Sequence, residues 1–175
     1  NNNGVKPITT EYKGYRFRSR LEARWAVFFD ALGVQWEYEP EGYDLGDAGW
    51  YLPDFWLPRF NDPVGMFVEV KPQSKRDDGN KARALCIVAD LPMLMAVGMP
   101  DCKVFNVFYP GASHEEDVGG ITVSDDYFDD KYVSGSRSDE YRMFVSCADD
   151  EDANKENNPE VYKAVCAARC ARFER

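Results

Sequence analysis

Long apolar runs are missing from this sequence. No stretch of its 175 residues approaches the ~20 consecutive apolar positions that a membrane-spanning helix needs. Nor does a basic segment followed by an apolar one open it, the pattern of a secretory signal. Histidine is almost absent: His114 stands alone, in the polar loop 111–120, where an exposed and non-catalytic role is expected. The five cysteines form no CxxC pair. An odd count without a signal-like opening predicts free thiols in a reducing cytoplasm. Cys166 and Cys170 lie four apart on a predicted helix, but a zinc site would need Cys147 or Cys102 as well. Burial as small hydrophobes is the preferred reading. Basic charge is also short. With 21 Lys and Arg against 31 Asp and Glu, the net charge is −10, against the usual balance of a protein that binds nucleic acid through its phosphates.

What is present is enough for a core. At 44% hydrophobic and 14% aromatic, 175 residues suffice for one packed domain. The charge is uneven. Lys13, Arg16, Arg18, Arg20 and Arg24 meet a single acid, Glu22, between residues 12 and 24, whereas 125–130 and 149–156 are strongly acidic. Two readings stand: a basic face on an acidic body, or arginines that merely solvate a helix. Residues 1–11 read as a polar tail. Ser19 is an N-cap residue for a helix over 19–32, whose core face is Leu21, Trp25, Phe28, Phe29 and Leu32, with Gly33 as its stop. Residues 34–39 alternate as a strand, and 41–49 form a Gly/Asp loop. Residues 78–89 predict a helix with Ala82, Leu85, Cys86 and Ala89 as its packing stripe. Residues 92–97 and 104–109 read as buried strands. Beyond Pro110, segments 121–123, 127–133 and 141–147 read as short strands, 149–158 as an acidic linker, and 159–175 as a terminal helix begun at Pro159. The order of helix, three strands, helix and two strands predicts an α/β (α+β) fold, a mixed sheet flanked by helices.

The centre of this order is WYLPDFWLPRFNDPVGMFVEVK, residues 50–71. Both halves read as strands, 50–57 and 66–71, joined by turn chemistry at Asn61, Asp62, Pro63 and Gly65. In the second strand Met66, Val68 and Val70 share one face, and Phe67, Glu69 and Lys71 the other. Asp54 on the first arm and Glu69 with Lys71 on the second place two carboxylates and an amine on one small surface. Hard divalent cations take oxygen ligands of this kind, and a neighbouring lysine orients a water or stabilises charge on a phosphate, a set suited to metal-assisted phosphodiester hydrolysis. On spacing alone the opposing reading is stronger: Asp54 as an acid in a turn after Pro53, Glu69 and Lys71 as a solvated strand face. Glu22, beside Leu21 at the edge of the helix's apolar face, divides evenly between looking into a cleft and answering the helix dipole.

Pro53-Asp54, fourteen residues, then Glu69-Val70-Lys71, each in an apolar context, resembles the signature of the PD-(D/E)XK nuclease superfamily, the restriction-endonuclease-like fold. Residues 12 to about 100 are similar to small single-domain nucleases of bacteria and bacteriophages, and residues 167–174 to the C-terminal helix of that group. The resemblance implies a nuclease core over 12–110, with an acidic β extension and terminal helix over 111–175 on the same domain. It implies a Mg²⁺-dependent (or Mn²⁺-dependent) deoxyribonuclease, an endonuclease, working on DNA in a bacterial or phage-infected cytoplasm. Asp54, Glu69 and the Val70 carbonyl would hold the metal. Lys71 would position the attacking water or stabilise charge. Glu22 matches an additional first-helix glutamate of several branches and would hold a second cation or water. Arg16, Arg18 and Arg20 are the candidate phosphate contacts, with Lys75 beside Arg76 extending that surface. Pro72 ends the strand directly after Lys71, and Gln73 does not sit where the exonuclease branch keeps a glutamine, which weighs against exonuclease action. A catalytically inactive DNA-binding or protein-interaction module, whose acidic body would suit a basic partner, is the alternative. An RNA-directed nuclease is a third, since nothing in the sequence reads a 2′-hydroxyl.

Overall fold

Ser19 starts the first helix, as its hydroxyl suggests. In a computed structural model describing residues 6–58, 65–73, 75–101, 106–108, 110, 120–123, 143–146 and 159–173, its backbone is extended and its Oγ accepts the Glu22 N–H at 3.2 Å. Helix α1 spans Arg20–Ala31 and buries Ala23, Trp25, Ala26, Phe28 and Phe29. Leu21, expected in that stripe, is only partly buried against it. Gly33, at φ +69°, lets the chain turn so that its N–H reaches the Asp30 carbonyl and the Val34 N–H the Phe29 carbonyl. These two bonds satisfy carbonyls that the helix end would otherwise strand.

Ahead of α1, β1 (Thr10–Tyr12) and β2 (Tyr15–Phe17) form an antiparallel hairpin, so regular structure begins inside the expected tail. The main sheet has five strands in the order β3-β6-β7-β8-β9, where β3 is Glu37–Tyr38, β6 Phe55–Leu57, β7 Met66–Lys71, β8 Met93–Val97 and β9 Asn106–Phe108. Strand β7 pairs antiparallel with β6 and parallel with β8, and the remaining pairs are antiparallel. The fold is thus mixed α+β, with a mixed sheet. A parallel neighbour needs a long crossover, and helix α2 (Arg76–Ala89) supplies it. Asp78 Oδ2 accepts the Lys75 N–H at 2.8 Å and so caps its first turn.

The sheet is covered on both sides. Met66, Val68 and Val70 face one core with Phe55, Leu94 and α1, joined by Val161, Ala164, Val165 and Ala168 of helix α3 (Pro159–Cys170). Phe67, Met93 and Met95 face a second core under Ala82, Leu85 and Cys86 of α2. The alternation expected for residues 66–71 holds, but the Phe67 side is no solvated face.

Two expected strands are shorter. Of 34–39 only Glu37–Tyr38 pairs. The 50–57 arm splits into β5 (Trp50–Tyr51), which pairs with β4 (Tyr43–Asp44) in a separate two-stranded sheet, and β6. Pro53 lies between them and lacks the N–H that a continuous ladder needs. Leu45 opens a short 3₁₀ turn, Gly46–Ala48, between β4 and β5. Gly65 starts the return into β7 at φ +79°, where a Cβ would come within 2.3 Å of the Trp56 ring. Strands β10 (Gly120–Val123) and β11 (Met143–Ser146) pair antiparallel. His114, Cys102, Cys147, the 127–133 strand and the 149–158 linker lie outside the described residues. Cys86 is buried, while Cys166 and Cys170 are exposed on α3. No helix among the described residues is long and apolar enough to cross a membrane.

Phe55 is the centre of an aromatic cluster, with Phe17, Phe29, Trp36 and Tyr38 rings at centroid distances of 5.5–6.0 Å. It directly follows Asp54, so packing there fixes the backbone that presents that acid. Phe55→Ala is expected to cost about 3–5 kcal/mol in urea unfolding, and a loss below ~1 kcal/mol would show that the cluster does not anchor this strand.

Candidate active site

The β6–β7 register explains how two distant acids meet. Phe55 pairs with Val68, so the next step of an antiparallel ladder sets Asp54 opposite Glu69. The Asp54 side chain takes over the ladder at this point, its Oδ2 accepting the Val70 N–H at 2.7 Å. The Asp54 carbonyl accepts the Glu39 N–H at 2.8 Å, tying the same residue to the end of β3. Asp54, Glu69 and Glu22 are all buried, unusual for carboxylates. They line a single cavity of about 600 Å³ with Arg18, Arg20, Val70 and Lys71, and Lys6, Pro7 and Ile8 from the N-terminal segment form one wall.

Each acid has a different environment. Burial, and then the charge of Glu69, push the Asp54 carboxyl up to about 8, against the Val70 N–H and Arg18, which favour the charged form. Arg18 Nη2 bonds Asp54 Oδ1. Lys71 Nζ lies 2.6 Å from Glu69 Oε1. Among the described residues the other oxygen, Glu69 Oε2, is buried without a hydrogen-bond partner. Leaving a charged acceptor so costs several kcal/mol unless a cation or water completes it. Burial pulls Lys71 down, but Glu69 more than compensates and its pKa is raised. Lys71 is therefore held as a cation, suited to stabilising negative charge rather than to removing a proton. The half-buried Tyr51 ring lies beside Glu69, and burial first, then the Glu69 charge and hydrogen bonding to it, push its phenol up.

Glu22 is the best satisfied of the three. Its Oε1 accepts the Ser19 hydroxyl at 2.7 Å, and its Oε2 accepts the Tyr38 hydroxyl at 2.6 Å and the Arg18 N–H at 3.1 Å. It thus both faces the cavity and ties the start of α1 to the residue that precedes it. Glu22→Gln turns an amide N–H₂ toward these donors, with an expected loss of about 1–3 kcal/mol in urea unfolding. A variant as stable as wild type would mean that the three contacts contribute nothing net.

The expected basic face is largely engaged elsewhere. Lys13 pairs with Asp30 at 2.9 Å. Arg24 Nη1 donates to the Ala168 and Arg169 carbonyls at 2.6 and 2.7 Å, closing the C-terminal end of α3. Arg169 pairs with Asp101 at 2.9 Å. Arg18 faces the acids. Arg16, exposed on β2, and Arg20, at the cavity wall, make no ion pair among the described residues, and Lys75 is exposed at the start of α2.

Tyr38, Glu39 and Tyr51 were not singled out from the sequence. Tyr38 contacts Glu22 across 16 positions and Glu39 contacts Arg18 across 21, and neither spacing carries a local signal.

Among the described residues no three Asp, Glu, His or Cys side chains already converge as a metal-ligand cluster. The donors do fit an ion of the Mg²⁺ type, which is held by one or two carboxylates and keeps several waters. Asp54, Glu69 with its unpartnered oxygen, and the Val70 carbonyl are of that kind. Compared with known protein families, curated proteins and solved structures, the chain matches none.

Proposed function

We propose that the protein is a divalent-cation-dependent deoxyribonuclease with a restriction-endonuclease-like core, cutting within DNA strands. One observation carries the reading: Asp54, Glu69 and Lys71 line the same cleft, and Glu69 Oε2 is buried there with no hydrogen-bond partner among the described residues. The order α1, antiparallel β6 and β7, crossover α2, parallel β8 supports the superfamily assignment that the Pro53-Asp54 and Glu69-Val70-Lys71 motifs suggest.

In this reading Asp54, Glu69 and the Val70 carbonyl hold Mg²⁺ or Mn²⁺. When bound, the ion lowers the pKa of water and neutralises charge on the phosphate. The chain's own residues do the rest. Lys71, fixed against Glu69, offers its ammonium to the attacking water or to the charge that develops on the phosphoryl oxygens. Val70 fixes the Asp54 carboxylate through its N–H, so the acid needs no reorganisation. Glu22, through Ser19 and Tyr38, sets the orientation of α1 at the cleft and provides an acceptor for a second water. Arg20, at the cavity wall and without an ion pair among the described residues, would meet a phosphate backbone passing the cleft, while Arg16, exposed on β2, and Lys75 beyond β7 add positive charge.

The test is incubation of the purified chain with linear, circular, single-stranded and branched DNA, and with RNA, each with Mg²⁺, Mn²⁺ or EDTA. Cation-dependent cleavage of circular DNA is expected. Cleavage confined to ends would make the activity exonucleolytic, and cleavage of RNA alone would move the substrate class. Binding without cleavage under every condition would favour a non-enzymatic interaction module.

A further inference from the structure

Arg18 sits where a cation would. It occupies the short link between Phe17 at the end of β2 and the start of α1. Its guanidinium bonds Asp54, lies 2.9 Å from Glu39 Oε1 through Nε, and is 3.9 Å from Glu22 Oε2. The Arg18 side chain is 55% exposed and that of Asp54 only 3%. The guanidinium therefore covers the acid from the solvent side. Its backbone is anchored separately, the N–H donating to Glu22 Oε2 and to the Tyr38 hydroxyl, each at 3.1 Å. The side chain can leave without releasing the loop.

We infer that Arg18 is an exchangeable counter-ion: it neutralises Asp54 when no divalent cation is bound, and swings to a substrate phosphate when one binds. This rests on the proposed cation-dependent nuclease reading and adds its regulation. A buried carboxylate left unpaired is costly, so Asp54, when ionised, keeps one partner or the other. A guanidinium pairs with phosphate through the same planar fork that it offers a carboxylate. Cation and DNA binding then become linked. The cation frees Arg18 for phosphate, and phosphate draws Arg18 away from Asp54. By reciprocity each tightens the other by the same factor. Glu39, which holds the guanidinium Nε, keeps the arginine near the cleft in both positions.

The experiment is calorimetric titration of the full chain with Ca²⁺ and with Mg²⁺, alone and with a short phosphorothioate DNA duplex, for wild type, Arg18→Gln and Arg18→Lys. For wild type, DNA should tighten the cation by about five- to tenfold, within the usual range of coupling between sites. Arg18→Gln should bind the cation about five- to tenfold more tightly without DNA, and DNA should then change that affinity little. Arg18→Lys, which keeps the charge but loses the fork, should fall between, and remains informative if the Gln variant folds poorly. Simple removal of a positive charge would tighten the cation but leave the DNA effect intact. That result would overturn the inference, as would cation affinity unchanged or weakened in both variants. If wild type binds no cation in either state, the cation-dependent reading itself fails, a separate outcome.

Discussion

Asp54→Asn and Lys71→Ala should each remove DNA cleavage while leaving a folded protein. For Lys71→Ala the expected loss is about 10²–10³-fold, the scale of deleting one fixed group that stabilises transition-state charge. Asp54→Asn should reach background, because the amide cannot replace a metal-binding carboxylate. The reason is geometric. Asp54 bonds the β7 backbone through Val70 and also meets the Arg18 guanidinium. Lys71 is locked to Glu69 at 2.6 Å. Initial rates of plasmid nicking in Mg²⁺, with near-UV circular dichroism as the fold control, check this. Either variant cleaving at wild-type rate would remove that residue from the mechanism.

The second large effect is on stability. Mg²⁺ binding to the folded chain alone should raise stability by about 2.7 kcal/mol at 100 times its dissociation constant. For a chain of this size that is roughly 6–10 °C in Tm. The effect should depend on pH, through Asp54. Its carboxyl is raised by burial, then by Glu69, to about 8 in the fold from an ordinary value of 3.8. A raised carboxyl stabilises the fold fully below its unfolded value, and that contribution is lost as pH rises through the folded one. Between pH 4 and 8, therefore, the metal-free wild type should lose stability relative to Asp54→Asn. Mg²⁺ must displace the same proton, so its stabilisation should grow over that window. Melting curves of both proteins at pH 5, 6.5 and 8, with and without Mg²⁺ at matched ionic strength, measure it. Equal Mg²⁺ responses in wild type and Asp54→Asn would mean that the carboxylates hold no ion.

The period-2 pattern of residues 66–71 showed which side Glu69 and Lys71 share, because alternation is a local property of a strand. It could not show that α2 covers the Phe67 side. That depends on where residues 82–86 return after the crossover. The 19–33 helix was legible for the same reason as the strand: its cap, stripe and glycine stop all lie within one element. Pro53 was visible as an interruption, yet its consequence, Trp50–Tyr51 leaving the main sheet for β4, is a tertiary choice. Residue types and the motif resemblance marked out Asp54, Glu69, Lys71 and Glu22. Their surroundings were not readable, since Tyr38, Glu39 and Tyr51 reach them across gaps of 15–18 positions. The arginine-rich 12–24 stretch was the least legible. Composition cannot distinguish Arg24 closing α3, or Arg18 covering Asp54, from a face offered to phosphate.

The central claim is that Asp54 and Glu69 hold a divalent cation in this cleft. The most direct measurement is anomalous scattering from crystals of the protein grown with Mn²⁺. The expected result is a peak in the cleft beside the Asp54 and Glu69 carboxylates and the Val70 carbonyl, the residues that would hold the ion. The Arg18 guanidinium should be withdrawn from Asp54 in that state. Crystals saturated with Mn²⁺ that show no peak in this cleft, with Arg18 still on Asp54 and Glu69 Oε2 still unpartnered, would contradict the claim.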